Sequence, residues 1–83
     1  MEPFALYLQA EVFAGLAKLR RSERARWLRH FELLSRDPGC AHDFTEVIGG
    51  REMSVKLIDQ YAVTYWVDHP VREIKIVSLR NAD

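Results

Sequence analysis

The sequence contains little of what stabilises or anchors many small proteins. Its single cysteine, Cys40, cannot form an internal disulfide, which excludes the disulfide-stapled small secreted domains and favours a reducing compartment. No hydrophobic run approaches the roughly 20 residues that a membrane-spanning helix needs. Glu2 and Pro3 stand where a signal peptide carries its basic segment. We therefore expect a cytoplasmic protein that has no membrane partner.

The chain also lacks net charge, because 12 Lys and Arg balance 12 Asp and Glu over 83 residues. This neutrality disfavours binding to nucleic acid through the protein surface as a whole. The balance fails locally between residues 18 and 29, where six basic side chains accompany one acid. The six are Lys18, Arg20, Arg21, Arg24, Arg26 and Arg29. Residues 1–83 are expected to form a single domain with a small core.

The first half of the sequence predicts a short strand followed by two helices. Large apolar residues alternate over 4–8, which is typical of a strand with one buried face. Helical spacing then predicts a first helix over about 10–20. A second helix is expected to begin near Ser22, a plausible N-cap, and to stop at the turn sequence 37–39. The connection is short, so the helices should form an antiparallel hairpin.

The apolar stripes of these two helices predict their contacts. In the second helix the stripe consists of Trp27, Leu28, Phe31 and Leu34. We expect Trp27, Phe31 and Leu34 to be buried against one sheet face and against the first helix. The facing residues of the first helix are Val12, Phe13 and Leu16.

The second half of the sequence predicts a β-meander. Alternation of period two, with β-branched and aromatic residues, indicates strands over 44–48, 52–58, 61–68 and 71–79. Gly49-Gly50 and Asp59-Gln60 are short enough to close hairpins, and His69-Pro70 suits a turn. The predicted fold is therefore α+β, in the order β-α-α-β-β-β-β, with the helical hairpin packed on a mainly antiparallel twisted sheet.

This order, together with four segments spread over the chain, resembles the RelE/ParE toxin superfamily. The segments are residues 8–13, 33–38, 61–65 and 76–80. The resemblance implies a toxin-like component of a type II toxin–antitoxin system, with a cognate antitoxin as partner. Its RelE-like branch contains ribosome-dependent mRNA interferases, and its ParE-like branch resembles inhibitors of DNA gyrase that act by protein binding. A non-toxic interaction domain of the same fold is a third possibility.

Metal-free RNA cleavage needs a base for the 2′-hydroxyl, cations that stabilise the phosphate charge, and an acid for the leaving oxygen. The resemblance assigns candidate catalytic roles to Lys56 and Arg80, with Arg51 and Arg72 as weaker candidates. Ser54 and Ala62 stand where many interferases have further basic residues. The chain also ends at Asp83, without the C-terminal extension of many interferases. These departures favour a weakened or non-nucleolytic member of ParE-like action over an active interferase.

A structural interpretation is available for each candidate cation. Lys56 and Arg80 can balance Glu52, Asp59 or Glu73 across the sheet, and Arg51 and Arg72 can keep exposed edges soluble.

The candidate partner-binding residues are Arg20, Arg21, Arg24 and Trp66. Arginine suits contacts with carboxylate or phosphate, although a basic helical face can also be merely solvated. Trp66 is a candidate anchor if it is exposed, and a core residue otherwise. The three histidines and Cys40 show no metal-ligand spacing, so we expect neither a metal nor another cofactor.

Overall fold

The two helices and five strands occur in the predicted order in the computed structural model, which describes residues 2–38 and 42–81. Gly39 of the predicted helix stop, and Cys40, lie outside the described residues. The elements are β1 (Ala5–Leu8), α1 (Ala10–Ala17), α2 (Arg21–Arg36), β2 (Phe44–Ile48), β3 (Arg51–Ile58), β4 (Tyr61–Asp68) and β5 (Glu73–Asn81). The α+β prediction is confirmed.

The five strands form one sheet in the order β1-β5-β4-β3-β2. β1 is parallel to β5, and all other neighbours are antiparallel. Both predicted hairpin turns are present. Gly49 and Gly50 have φ angles of 60° and 79°, and Asp59 has a φ angle of 57°. Positive φ at both central residues is the signature of a type I′ turn, which explains the glycine pair between β2 and β3.

The pairing of β4 with β5 contains one irregularity. Thr64 lies opposite Ser78, but its neighbour Tyr65 lies opposite Ile76, so Val77 is an extra residue on β5. An extra residue of this kind is a β-bulge, and it reverses the alternation of side chains beyond it. As a result Leu79 joins Ile76 on the helix-covered face, although the two are an odd number of residues apart.

The hydrophobic core lies between the helices and one face of the sheet. Phe31 is at its centre with no exposed surface. The buried cluster also contains Val12, Leu16, Trp27, Leu34, Val63, Tyr65, Ile74 and Ile76. The predicted burial of Trp27, Phe31 and Leu34 is thus confirmed.

Phe13, which was predicted to face the core, and Leu28, which was assigned to the apolar stripe of the second helix, lie on the surface instead. Phe13 is 66% exposed and Leu28 is 45% exposed. Both follow immediately after a buried residue, Val12 and Trp27 respectively. Successive helical residues differ by about 100° around the axis, so Phe13 and Leu28 lie at the side of the buried stripe and not within it.

Several elements begin or end at residues other than those predicted. α1 ends at Ala17, because the Lys18 N–H donates to the carbonyl of Gly15, three residues earlier, as in a 3₁₀ turn. Arg20, not Ser22, occupies the N-cap of α2, and no side chain caps this end. β5 begins at Glu73 and not at residue 71, since the Arg72 N–H donates to the His69 carbonyl and closes a turn.

Alkaline pH provides a test of how Tyr65 is buried. Burial raises the pKa of the Tyr65 hydroxyl above its ordinary value of 10.0, and nearby Asp43 adds to this while a hydrogen bond with Ser54 opposes it. A group with a raised pKa in the folded state stabilises the fold below its unfolded pKa and loses this contribution as the pH rises. We expect stability to fall above about pH 10, and to fall less steeply in Tyr65→Phe. Urea unfolding of both proteins between neutral and alkaline pH measures the two slopes, and equal slopes would contradict the prediction.

Candidate functional site

The helices leave one face of the sheet uncovered, which we call the outer face. Cross-strand pairing places Tyr7 of β1, Lys75 of β5 and Trp66 of β4 side by side on it. Trp66 is half-buried, and the guanidinium carbon of Arg51 lies 3.9 Å from its ring centroid. The Lys75 ammonium is 5.4 Å from the Trp66 ring and 5.2 Å from the Tyr7 ring. Aromatic and cationic groups therefore form a continuous strip on the outer face.

The charge on this strip is balanced by two acids. Lys75 Nζ lies 3.5 Å from Asp68 and 3.4 Å from Glu73. Desolvation lowers the pKa of Lys75, but the two carboxylates outweigh this effect and raise it. The Lys75 ammonium is thus held by two carboxylates, and the strip as a whole carries no net charge. Such a surface suits contact with another protein better than contact with a phosphate backbone.

Arg80 also lies on the outer face, where its Nη2 donates to the Glu46 Oε1 at 3.0 Å. This ion pair connects β5 with β2 across the two strands between them. The cross-strand pair of Val55 and Thr64 lies between the row of paired residues that contains Arg80 and the row that contains Glu46. Val55 is 1% exposed and Thr64 is 0% exposed. The ion pair and the buried Val55–Thr64 pair therefore occupy the same region of the outer face.

Two structural features adjoin this ion pair. Among the described residues, the Thr64 hydroxyl is the buried side-chain polar group without a hydrogen-bond partner. A cavity of about 440 Å³ lies beside Arg80 and is walled by Phe44, Leu57 and Ala62. An apolar cavity next to one neutralised guanidinium offers little stabilisation to a developing phosphate charge.

Lys56 lies on the opposite, helix-covered face. It pairs with Val63, which pairs with Leu79, whereas Arg80 pairs with Ala62. Its ammonium is 3.9 Å from Asp43, whose carboxylate also accepts the Leu57 N–H at 2.7 Å. The partner of Lys56 is therefore Asp43 and not one of the acids considered from the sequence.

The structure does not bring the four candidate cations together. Lys56 and Arg80 are on opposite faces. Arg51 shares the outer face with Arg80, but it stacks on Trp66, which lies about 13 Å along β4 from Ala62, the cross-strand partner of Arg80. Arg72 lies at the other end of β5, where it donates to the Glu2 carbonyl at 2.7 Å. Neither Ser54 nor Ala62 can add a cation to any of these positions.

One of the predicted partner-binding arginines, Arg24, adjoins an apolar groove that was not predicted from the sequence. A cavity of about 270 Å³ lies between β1, α1 and α2. Phe13 and Leu28 are its exposed members, and Arg24 lines it. Leu8, Leu16 and Ala17 complete the lining. The feature of the sequence that could have indicated this groove is the position of Phe13 and Leu28, each directly after a buried residue of its helix.

Arg24 and its neighbouring arginines in the sequence differ in their contacts. Arg24 Nη1 donates to the Ala17 carbonyl at 3.4 Å, which ties α2 to the end of α1. Arg20 lies 3.7 Å from Glu23, with both side chains largely exposed. Arg26 pairs with Asp59 at 2.7 Å. Arg21 makes no ion pair with any residue that the structure describes. The groove thus combines an apolar lining with one basic residue, Arg24.

No cluster of three or more metal-ligating side chains occurs within residues 2–38 and 42–81. In the same part of the chain, neither helix has the length and hydropathy that crossing a bilayer requires.

Comparisons with known proteins identify the fold. No protein-family model matches the sequence, and no curated protein matches it significantly. Among solved structures, the chain superposes on a chain of the archaeal RelE-RelB complex from Pyrococcus horikoshii OT3 with a TM-score of 0.76 and 19% identity. The superposition covers 98% of this chain and 97% of that one. A chain of the RelBE2 toxin-antitoxin complex from Mycobacterium tuberculosis gives a TM-score of 0.78 and 17% identity, covering 96% and 99%. The protein therefore has the RelE-type toxin fold.

Proposed function

We propose that this protein is the toxin component of a type II toxin–antitoxin pair, and that it acts by binding a protein target without cutting RNA. The whole-length likeness to chains of toxin–antitoxin complexes supports the first part. The observation that carries the second part is the separation of Lys56 from Arg80 on opposite faces, each beside a carboxylate. A ParE-like mode of action, for which DNA gyrase is the target that the resemblance suggests, needs no catalytic cations.

The electrostatics of the two cations support this choice. Phosphoryl chemistry needs positive charge preorganised around one reacting phosphate. Asp43 and Glu46 neutralise Lys56 and Arg80 at rest, so an incoming phosphate has to compete with a carboxylate at each position. A ribosome-dependent interferase therefore requires a rearrangement of both ion pairs, which a protein-binding toxin does not.

The groove on the helical hairpin is the proposed antitoxin site. The exposed apolar side chains of Phe13 and Leu28 in this groove suit contact with the apolar stripe of an amphipathic helix. Arg24 in its lining, together with Arg20 and Arg21 at the start of the same helix, selects acidic side chains on the flanks of the partner helix. Trp66, on the outer face, is then available for the target protein. The two partners are thereby assigned to different sides of the molecule.

Co-expression with the product of the neighbouring small reading frame tests the proposal. We expect a stable complex that relieves growth inhibition by the toxin. Leu28→Glu and Arg21→Glu should each weaken the complex about tenfold or more, since they place a negative charge in the groove or among the arginines at the start of α2. Titration calorimetry of the purified proteins measures the change.

Arg36→Glu is the matched control, because Arg36 lies on the same helix about 18 Å from Arg24 and pairs with Glu32. This variant should bind the antitoxin as the wild type does. If no complex forms and expression has no effect on growth, the protein is a non-toxic interaction domain. If all three variants bind equally well, the antitoxin site lies elsewhere.

A further inference from the structure

Arg72, one of the four candidate cations, has a backbone conformation that arginine rarely adopts. Its φ angle is 54°, in the left-handed region that residues with a Cβ atom disfavour. Among the described residues, the other non-glycine residue there is Asp59, and aspartate is one of the residue types enriched in this region. Strain of this kind persists only where the surrounding structure holds the residue in place. The contacts of Arg72 therefore show what its conformation serves.

Arg72 contacts the N-terminal segment through its main chain and its side chain. Its carbonyl accepts the Ala5 N–H at 2.9 Å, at the start of β1. Its Nη2 donates to the Glu2 carbonyl at 2.7 Å. Its guanidinium carbon lies 4.4 Å from the centroid of the Phe4 ring, which is a cation–π contact. Arg72 thus fixes residues 2–5 at three points.

β1 depends on such contacts because it buries little surface of its own. It has four residues and lies at one edge of the sheet, where it pairs with β5. Ala5, Leu6 and Tyr7 are exposed, and Leu8 is half-buried. A short, exposed edge strand opens more readily than the strands at the centre of a sheet. Loss of the Arg72 side chain should therefore release β1 before any inner strand.

The position of β1 determines one wall of the groove on the helical hairpin. Leu8, the last residue of β1, lines this groove. A single residue, Gln9, connects β1 to α1, and its carbonyl accepts the Phe13 N–H at 3.0 Å in the first turns of that helix. Phe13 is an exposed residue of the same groove. A displacement of β1 therefore moves Leu8 and the start of α1 relative to α2.

We propose that Arg72 is a positioning residue of the antitoxin site: it fixes β1 in the sheet, and β1 in turn places Leu8 and Phe13 in the groove. Arg72 does not line the groove and acts through β1. This inference rests on the proposed function, since it takes the groove as the site where the antitoxin binds. The role needs no phosphate, in contrast to the catalytic role that the resemblance assigned to Arg72.

Hydrogen exchange of the protein without a partner tests the first step. Arg72→Gly removes the side chain and suits the positive φ angle, so the turn before β5 is retained. Asp59→Gly is the matched control, because it makes the same change at a φ angle of 57° and removes an ion pair, but between β3 and β4. We expect the Ala5 amide to exchange about tenfold faster in Arg72→Gly and at the wild-type rate in Asp59→Gly. Equal rates in Arg72→Gly and the wild type would overturn the proposal.

Titration calorimetry with the product of the neighbouring small reading frame tests the second step. Arg72→Gly should weaken binding about fivefold or more. Arg72→Lys should restore most of the affinity, since lysine keeps a cation near Phe4 and a donor for the Glu2 carbonyl. Asp59→Gly should bind as the wild type does.

The outcomes separate the role of Arg72 from the proposed function. A wild type that binds no antitoxin would refute the proposed function. A wild type that binds, with Arg72→Gly binding equally well, would overturn only the role of Arg72. An equal loss of affinity in Asp59→Gly and Arg72→Gly would attribute the effect to lower overall stability, and would also overturn that role.

Discussion

Phe31→Ala is expected to lower the free energy of unfolding by roughly 3–5 kcal/mol. Phe31 has no exposed surface, and its ring centroid lies 6.0 Å from that of Trp27 at the centre of the core. Truncation removes buried apolar area and leaves a cavity that the surrounding side chains only partly fill. Small domains are stable by about 5–15 kcal/mol, so this single change removes a large share. Urea unfolding of wild type and variant measures the difference.

Phe13→Ala is the matched control, since it removes the same atoms from a side chain that is 66% exposed. Its effect should remain within about 1 kcal/mol. A soluble Phe31→Ala variant whose unfolding midpoint matches that of the wild type would show that Phe31 is not central to the core. A large loss of stability in Phe13→Ala would place Phe13 in the core after all.

Programmed ribosomes are expected to show mRNA cutting by this protein that is weaker by on the order of 10²–10³ than cutting by a basic interferase. One missing preorganised charge removes a few kcal/mol of transition-state stabilisation, which corresponds to that factor in rate. The sequence has Ser54 and Ala62 at two such positions, and Glu46 holds Arg80. The purified protein alone should cut little RNA. Mapping of cleaved mRNA ends at matched concentrations of folded protein measures both rates.

Lys56→Ala and Arg80→Ala distinguish the two modes of action. If the protein acts by binding, neither variant changes the residual cutting, and both still inhibit growth. Robust cutting that collapses in both variants would reject the non-nucleolytic proposal and establish the ribosome-dependent endoribonuclease. Melting temperatures should be recorded alongside, because each substitution also removes a surface ion pair worth about 0–1 kcal/mol.

The bulge at Val77 has the largest consequence for interpreting the candidate site. Strict alternation along β5 would place Arg80 on the same face as Ile74 and Ile76, which is also the face of Lys56. The extra residue moves Arg80 to the outer face, beside Ala62 and within reach of Glu46. A match of residue types along a strand therefore does not establish that the side chains meet.

The sequence by itself determined which segments become helices and strands, because local periodicity and turn chemistry are properties of consecutive residues. The spacing of Trp27, Phe31 and Leu34 specified the buried face of α2, and the Gly49-Gly50 pair specified a hairpin. The order of elements followed from these local signals, and with it the α+β fold.

Only the tertiary structure decided which charged groups meet, since contacts between distant strands depend on register and curvature and not on local pattern. The bulge at Val77 set the face of Arg80, and strand order brought Glu46 to it across two intervening strands. The packing of α1 and α2 beside β1 brought the exposed Phe13 and Leu28 together in one groove with Arg24. Each of these outcomes depends on where an entire element packs, which side-chain spacing within that element does not encode.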